Sequence, residues 1–405
     1  MTAGPAMTLA ATAAKQASVS EGRPIGLAPD LQERVEQLLE RMNIAVIHGG
    51  DKTQDGAVIH QTANPRSWKS YKSVAEDIAA ALRRLGCENV SVLPDDMSLG
   101  QRLREDKIHM GWLNTGGVQG FSPMSHAASM LEMMGVPYVG HDPMTAGILD
   151  RKDVFKRFLT SLGFPTAPFM TWNMAEGPFD PADSDTFWRT FGDYDGPFVV
   201  KPVSGRASLN VNWVENQAAL GAQVAEVHQA TQNLVLIEPF LPGREYCVAV
   251  SGHVTAQRRQ LTRYEEPFVV CAIERIFQPD ERIVTSMDVK PITGDRLRVL
   301  DSETDAAVLK QLHALARHVY REMRIESLIR FDVRTDSRGE LQVLEANPKP
   351  DLKAPTRNQT SLVAASLSAY GMSYDDLILS LLADRIDLLF NERPGMIGHL
   401  KDLLD

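Results

Sequence analysis

The stretch SLIRFDVRTDSRGELQVLEANPKP, residues 327–350, has the pattern of two short strands joined by turn residues. Arg338-Gly339 is the natural two-residue turn of such a hairpin. The pairs that then face each other on one side are Asp332 with Glu345 and Arg330 with Asn347. The opposite side carries Phe331, Val333 and Leu344 and is apolar enough to cover a core. The hairpin therefore predicts one buried face and one face rich in charge.

Two carboxylates that face each other across a strand pair repel, so the placement of Asp332 opposite Glu345 needs an explanation. A bound magnesium ion would explain it, because magnesium prefers carboxylate oxygen and commonly bridges to phosphate groups of a substrate. Asn347 adds a neutral oxygen, and Arg330 places a fixed cation beside the metal that suits a phosphate or a developing oxyanion. The alternative is a solvated sheet face on which Arg330 pairs with one of the carboxylates.

The composition limits the class of protein. The chain has 405 residues, 43% of them hydrophobic and 23% charged, and a formal net charge of −10. These values are ordinary for a globular chain of two or three domains and argue against a general nucleic-acid binder. The sequence lacks an apolar run long enough to span a membrane. The three cysteines, Cys87, Cys247 and Cys271, are sparse and odd in number, which favours reduced thiols and a cytoplasmic location.

The first 150 residues alternate strand and helix patterns and therefore predict an open α/β unit. In such sheets ligands lie beyond the carboxyl ends of the strands. The residues at these ends are His48, Gly49, Gly50, Asn114 and Gly116. Residues 1 to about 28, rich in Ala, Thr and Ser, are expected to form a loose tail.

Several residues further along the chain suit a polyphosphate and a nucleotide. Lys201 ends the apolar strand PFVVKP and precedes the small-residue loop SGRASLN, while Lys152 opens a helix about 50 residues earlier. Glu238 and Glu245 flank the turn in IEPFLPGREYCV, where backbone groups could bind a base and a carboxylate could accept ribose hydroxyls. Taken singly, the lysines are better explained as surface residues and the acids as part of an ordinary exposed hairpin.

The ordered set of these motifs resembles the ATP-grasp superfamily and, within it, the D-alanine–D-alanine ligase group. The resemblance runs from about Asn43 to Leu382 and includes NIAVIHGG, PFVVKP, LIEPFLPGREYCVAV and RFDVRTDSRGELQVLEANP. It implies an α/β protein in which an N-terminal open α/β domain precedes the two lobes of an α+β ATP-grasp unit. The implied segments are an N-terminal extension 1–42, an α/β domain 43–149, a small lobe 150–235, a C-terminal lobe with the metal site 236–390, and a tail 391–405.

The resemblance also implies roles for individual residues. Lys152 and Lys201 would bind the ATP phosphates, Glu238 and Leu241 would meet adenine, and Glu245 would hold the ribose. Asp332, Glu345 and Asn347 would hold Mg²⁺, in the form of two ions, with Mn²⁺ as the alternative metal. Arg330 would stabilise an acyl phosphate and the tetrahedral intermediate that follows. The mobile loop of this family should lie within 255–300, where Arg282 and Lys290 are candidates for another phosphate contact.

The substrate half departs from the family pattern. In the ligases a glutamate follows HGG and holds the ammonium group of the first substrate. The corresponding loop here, DKTQDGAVIH, has no glutamate. Either Asp51 or Asp55 replaces it, or the first substrate lacks that amine. After Asn347 the chain reads PKPDLKAPT, which puts Asp351 where the ligases have a glycine. An acid there favours an amine or basic nucleophile. His48, Gly49 and Asp351 are the candidate substrate contacts, although a structural role for His48 is equally consistent with its place after a buried strand.

These observations predict an ATP-dependent carboxylate–amine ligase of the amino-acid or dipeptide type that acts through an acyl phosphate. The alternatives are a true D-alanine–D-alanine ligase of cell-wall synthesis, a nucleotide-binding protein without ligase activity, and an ATP-grasp phosphotransferase. The expected partners are a small carboxylate and a small amine, with no nucleic acid and no membrane. The resemblance adds a homodimer, because ligases of this group are often dimers.

Overall fold

The structure is a computed structural model and describes residues 23–279, 281–283, 296–356 and 360–405. The strands are β1 (Pro24–Leu27), β2 (Asn43–Gly49), β3 (Asn89–Asp95), β4 (Met110–Asn114), β5 (Tyr138–Val139), β6 (Met170–Trp172), β7 (Phe198–Pro202), β8 (Asn212–Val214), β9 (Val235–Pro239), β10 (Glu245–Val250), β11 (Val254–Gln257), β12 (Gln260–Tyr264), β13 (Val269–Arg275), β14 (Leu297–Val299), β15 (Ile329–Thr335) and β16 (Leu341–Asn347). The α-helices are α1 (Pro29–Arg41), α2 (Lys72–Arg84), α3 (Leu99–Glu105), α4 (His126–Met133), α5 (Pro143–Asp150), α6 (Lys152–Ser161), α7 (Asp185–Phe191), α8 (Leu220–Thr231), α9 (Ala306–Glu322), α10 (Tyr374–Glu392) and α11 (Gly398–Lys401).

The N-terminal part contains a parallel sheet with strand order β3-β2-β4-β5. Strand β2 is buried along almost its whole length because both sheet faces are covered, as an apolar run such as IAVI predicts. Helix α2 buries Val74, Ile78 and Leu82 at helical spacing against this region. At the carboxyl end of β2, His48 pairs with Asn114. The α/β class predicted from the sequence is confirmed.

Besides a three-stranded antiparallel sheet with the order β1-β12-β11, two larger antiparallel sheets follow along the chain. The first has the order β6-β9-β7-β8 and covers a core rich in aromatic residues that includes Phe187, Phe191 and Phe198. The second has the order β14-β13-β10-β15-β16 and packs against helices α6 and α9. The boundary predicted between residues 235 and 236 falls at the start of β9, whose partners β6 and β7 belong to the first of these sheets. The predicted domain boundaries stay predictions.

The hairpin β15–β16 has the predicted facing pairs, but its turn is longer than predicted and one strand contains a bulge. Asp332 pairs with Glu345, but the turn is three residues long, Ser337 to Gly339, because the Asp336 N–H donates to the Glu340 carbonyl. A β-bulge at Leu344 adds the residue that restores the register beyond the turn. The prediction of a two-residue turn was therefore wrong. The assignment of Leu344 to the core face was also wrong, since Leu344 lines the pocket described below.

The described part of the N-terminal tail is ordered into secondary structure, against the prediction of a loose segment to about residue 28. Strand β1 pairs antiparallel with β12, and the Ala28 N–H donates to the Leu261 carbonyl. Helix α5, capped by the Asp142 side chain, was likewise not predicted. No helix among the described residues is long and apolar enough to cross a membrane.

Candidate active site

A pocket of about 780 Å³, including space open to solvent, lies between the sheet β6-β9-β7-β8 and the sheet β14-β13-β10-β15-β16. Seven candidate residues from the sequence analysis line this pocket, and they come from four separate segments of the chain. They are Lys152, Lys201, Glu238, Leu241, Glu245, Asp332 and Glu345. The loop after β7 contributes Gly205 through Leu209 to the same wall. The structure thus brings the candidate nucleotide residues and both candidate metal carboxylates to one cavity.

Glu238 is buried between two lysines at one end of the pocket. Its Oε1 lies 2.5 Å from Lys201 Nζ and its Oε2 lies 3.0 Å from Lys156 Nζ. Burial alone would raise the pKa of Glu238, but the two ammonium groups lower it to about 2. The carboxylate is therefore ionised at neutral pH and fixes the position of Lys201.

The second lysine of this cluster also has a hydroxyl partner. The Lys156 ammonium donates to Thr166 Oγ1 at 2.6 Å, and Thr166 in turn donates to the Val343 carbonyl at 2.8 Å. Glu238 Oε2 keeps the Lys156 ammonium as its ion-pair partner at 3.0 Å, and among the described residues it has no further hydrogen-bond donor. An acceptor of this kind on a pocket wall suits a ligand N–H donor.

Lys152 connects the nucleotide side of the pocket to the hairpin. Its backbone N–H donates to the Val203 carbonyl at 2.8 Å, which holds the start of α6 against the end of β7. Its ammonium lies 3.2 Å from Glu345 Oε2. The lysine at the start of a helix and the carboxylate near the end of a strand are therefore direct neighbours.

Asp332 lies between two guanidinium groups. Arg330 binds it with two hydrogen bonds, Nε to Oδ1 at 2.8 Å and Nη2 to Oδ2 at 3.0 Å, and Arg275 Nη2 lies 3.8 Å from Oδ2. Burial would raise the pKa of Asp332, but the two guanidinium groups lower it to about 2. The two hydrogen bonds to Asp332 also hold the Arg330 guanidinium in one orientation on the pocket side of the hairpin.

The donor set on this face fits a hard divalent cation. Asp332 and Glu345 are facing carboxylates, and Asn347 adds an amide whose Nδ2 is 3.4 Å from Asp332 Oδ2. The set consists of two carboxylates and one amide. Within the described ranges no group of three or more His, Cys, Asp or Glu side chains is arranged to hold a metal ion. Oxygen ligands of this kind, completed by water and phosphate, are those that Mg²⁺ prefers.

Glu245 lines the same pocket as Glu238 and is held by two arginines. Arg275 Nη1 lies 3.3 Å from its Oε1 and Arg334 Nη1 lies 3.4 Å from its Oε2. Burial raises the pKa of this carboxyl, although both guanidinium groups act in the opposite direction. Leu241, almost fully buried, provides an apolar surface on the same wall.

The candidate substrate contacts at the end of β2 are tightly packed. The Gly49 N–H donates to the Ser70 carbonyl at 2.7 Å, and a Cβ at Gly49 would come within 2.6 Å of the Lys69 carbonyl oxygen. His48 is buried, its Nδ1 is 3.1 Å from the Gly49 carbonyl, and burial lowers its pKa. Close backbone packing therefore explains the Gly-Gly pair without a ligand.

The acids considered for the substrate half lie in different surroundings. Asp51 accepts hydrogen bonds from Thr53 N and Thr53 Oγ1 within its own turn, and Asp55 is exposed. Asp351 Oδ1 accepts from the Lys353 N–H at 3.1 Å. In the loop after β7, Ser204 donates to Asp150 Oδ2 at 3.3 Å, whereas Ser208 lines the pocket.

Two residues that the sequence reasoning missed complete the charge pattern. Lys156 follows Lys152 by one helical turn on the buried side of α6, and a lysine on an apolar helix face is the signal that could have revealed a buried ion pair. Arg275 lies on β13, in the region 255–300 that has no readable pattern. In that region Arg282 stacks on Trp213, with its guanidinium carbon 3.9 Å from the ring centroid, and Lys290 lies outside the described residues.

Comparison with known proteins places the chain in a family. The family model described as "D-ala D-ala ligase C-terminus" matches residues 158–383, more than half of the chain. A D-alanine–D-alanine ligase of a Synechococcus species is 24% identical over 85% of this chain and 93% of its own length. The enzyme of the same name from Gloeobacter violaceus is 27% identical over 76% of this chain and 92% of its own length.

Solved structures show the same fold. A crystal structure titled as D-alanine–D-alanine ligase from Bacillus anthracis complexed with ATP has a TM-score of 0.62 at 19% identity, covering 87% of this chain and 99% of that one. D-alanyl-alanine synthetase A from Vibrio cholerae has a TM-score of 0.61 at 17% identity, covering 86% and 99%. The ATP-grasp fold is confirmed.

The chain belongs to the D-alanine–D-alanine ligase family, as its C-terminal domain model shows. It is accordingly an ATP-dependent ligase of the type that forms C–N bonds. Enzymes of this family use ATP and Mg²⁺.

Proposed function

We propose that this chain joins a small carboxylate to a small amine through an acyl phosphate, releasing ADP and phosphate, as an amino-acid or dipeptide ligase. The observation that supports it is the common pocket that gathers Lys152, Lys201, Glu238, Asp332 and Glu345. Two ammonium groups beside two facing carboxylates match the charges of a metal-bound polyphosphate. The surface therefore suits MgATP better than a neutral ligand.

In this proposal ATP lies along the pocket with its base at the β9 end. Glu238 Oε2, whose partner among the described residues is the Lys156 ammonium, would also accept from the exocyclic amine of adenine beside Leu241. Glu245 would accept the ribose hydroxyls. Lys152, Lys201 and the loop after β7 would bind the phosphates, since ammonium and backbone N–H groups both favour phosphate oxygen.

The first step joins the substrate carboxylate to phosphorus. A carboxylate oxygen attacks the γ-phosphorus of ATP, the bond from that phosphorus to the bridging oxygen breaks, and ADP leaves with the electron pair. Asp332, Glu345 and Asn347 would hold Mg²⁺, as two ions in our proposal and with Mn²⁺ as an alternative, and the metal supplies neutralisation of phosphate charge. The protein contributes position and charge, as in phosphoryl transfer generally.

In the second step the amine replaces the phosphate. Its nitrogen attacks the acyl carbon, the carbonyl oxygen becomes an oxyanion, and collapse breaks the carbon–oxygen bond to release phosphate while the nitrogen loses a proton. Arg330 would stabilise this oxyanion, because Asp332 holds its guanidinium in one orientation. Asp351 would attract the ammonium form of the incoming amine to the site, and this ammonium must lose one proton to solvent before its nitrogen can attack.

The test is ATP turnover against substrate pools. The purified chain is incubated with ATP, Mg²⁺ and pools of D- and L-amino acids, D-alanine among them, and simple amines, and released phosphate and product masses are read together. We expect phosphate release with a product equal to two substrates minus one water. Glu345→Gln should abolish both signals, whereas Glu340→Gln, an exposed change in the same hairpin, should leave them intact. ATP binding without turnover in every pool would contradict the proposal.

A further inference from the structure

A long connection joins the carboxyl edge of the N-terminal sheet to the wall of the nucleotide pocket. Residues 50–71, all of which the structure describes, link β2 to α2 without a helix or a strand. Connections inside compact domains usually have about four to six residues, and much longer ones without regular structure are commonly functional. Within this connection, residues 64–68 contact the loop after β7 and are called here the strap.

One arginine of the nucleotide pocket holds the end of the strap. Arg206 lines the pocket, and its Nε donates to the Ser67 carbonyl at 3.1 Å while its Nη2 donates to the Trp68 carbonyl at 3.3 Å. The indole N–H of Trp68 in turn donates to the Gly50 carbonyl at 2.6 Å. A chain of hydrogen bonds therefore runs from the loop after β7 to the residue that follows β2.

The start of the strap is held from the same side. Arg66 pairs with Asp150 at 2.7 Å, and Asp150 also accepts from Ser204 Oγ in the loop after β7. Asn233 Nδ2 donates to the Ser204 carbonyl at 3.1 Å and to the Pro65 carbonyl at 3.4 Å. These contacts are polar and join the strap to the same loop, so the position of the strap depends on that loop.

The loop after β7 has a strained backbone that needs support from outside. Ala207 has a φ of +63° and Ser208 a φ of +52°, in the left-handed region that residues with a Cβ rarely adopt. Such conformations persist only where surrounding contacts hold them. Arg206 directly precedes this pair, and its two hydrogen bonds to the strap are contacts of that kind. Phosphate oxygens bound to the N–H groups of the loop would add others.

We infer that Arg206 is a positioning residue that couples the nucleotide to the substrate half of the site. Phosphate bound by the loop after β7 stabilises the arrangement in which Arg206 holds the strap, and the strap fixes the end of β2. The inference rests on the proposed function and adds a coupling between its two halves. Because nucleotide and acid substrate favour the same arrangement, each raises the affinity of the other by the same factor.

The test is amide hydrogen exchange of the full chain, with and without saturating MgADP, followed by mass spectrometry on peptides that cover residues 60–71. Exchange reports local opening of the strap. We expect it to slow by about fivefold or more when MgADP binds, the low end of coupling between sites. Arg206→Met removes the donors and keeps an unbranched side chain, so the slowing should be lost. Arg206→Lys, which keeps one donor group, should retain part of it.

Arg189→Met is the matched control. Arg189 is exposed on α7, and its Nη2 donates to Thr186 Oγ1 of the same helix at 3.1 Å, so this variant should keep the full slowing. A second measurement uses the acid substrate that the pools identify. In the wild type this substrate should lower the Kd of MgADP about fivefold, whereas in Arg206→Met the two should bind independently. A merely structural role would change each affinity but not their ratio.

Each contrary result has a definite meaning. Equal exchange with and without MgADP in the wild type would overturn the inference and leave the ligase function standing. Full slowing in Arg206→Met would do the same, and weaker MgADP binding in that variant would then show that Arg206 contacts phosphate and does not act through the strap. If no substrate pool supports turnover, the ligase proposal fails, and the exchange experiment still decides the coupling because it requires the nucleotide alone.

Discussion

Lys201 and Glu238 form a buried ion pair of 2.5 Å, and a second ammonium, Lys156, lies 3.0 Å from the other oxygen of the same carboxylate. All three side chains are almost fully removed from solvent. One carboxylate thus compensates two buried cations at the wall of the nucleotide pocket. The stability of this part of the protein and the position of Lys201 depend on the same residue.

Glu238→Gln should therefore destabilise the fold as well as weaken ATP binding. Removing the carboxylate leaves two buried ammonium groups without a counter-charge, and we expect a loss of about 3–5 kcal/mol in the free energy of unfolding. Urea denaturation measures it. Adding Lys156→Met to Glu238→Gln removes one of the two cations and should restore part of the loss. Wild-type stability in Glu238→Gln would contradict the role given to this pair.

Arg330→Lys should slow the reaction while leaving nucleotide binding largely intact. Lysine keeps the charge but cannot make the forked contact with Asp332 that orients the guanidinium. We expect kcat to fall about 100-fold, the size of the loss when one oxyanion donor is removed, with little change in KM for ATP. Arg338→Lys, an exposed change in the same hairpin, serves as the control. Equal kcat in both variants would remove Arg330 from the catalytic role.

Asp351→Ala should weaken the amine substrate specifically. The loss of a charged partner is expected to raise KM for the amine about tenfold and to leave KM for the acid and for ATP unchanged. Asp351→Asn separates charge from turn structure, because its amide oxygen can still accept from the Lys353 N–H. If Asn restores wild-type kinetics, Asp351 acts through the turn and not through its charge.

Asp384 on α10 predicts a pH dependence of stability. Burial raises the pKa of this carboxyl to about 6, although its Oδ1 accepts from the His253 and Val254 N–H groups. Because the folded pKa is above the unfolded value, the contribution of Asp384 to stability is present below about pH 4 and is lost as the pH rises through about 6. Asp384→Asn should flatten the fall in the free energy of unfolding between those values, measured by urea denaturation. An identical pH profile in wild type and variant would contradict the shift.

The polarity of the hairpin was readable from the sequence, but its detailed geometry was not. Alternation of side chains put Asp332 opposite Glu345, yet the turn is one residue longer than predicted and the bulge at Leu344 compensates for it. A bulge leaves no mark in a pattern of apolar and polar residues, so two errors cancelled. The prediction that Leu344 covers the core failed for the same reason.

Other parts of the site depend on contacts between distant segments, which spacing alone cannot reveal. The pairing of Lys156 with Glu238, residues far apart in the chain, arises only when α6 packs beside β9. Strand β1 was missed because PIGL is short and its partner β12 lies more than two hundred residues away.

The central claim, ligation through an acyl phosphate, is tested most directly by oxygen transfer. The acid substrate that the pools identify is labelled with ¹⁸O in its carboxylate, and the phosphate released during ligation is analysed by mass spectrometry. The account predicts one labelled oxygen in each released phosphate, because the carboxylate oxygen that attacks phosphorus leaves with it. Unlabelled phosphate, or release of AMP and pyrophosphate in place of ADP and phosphate, would contradict it.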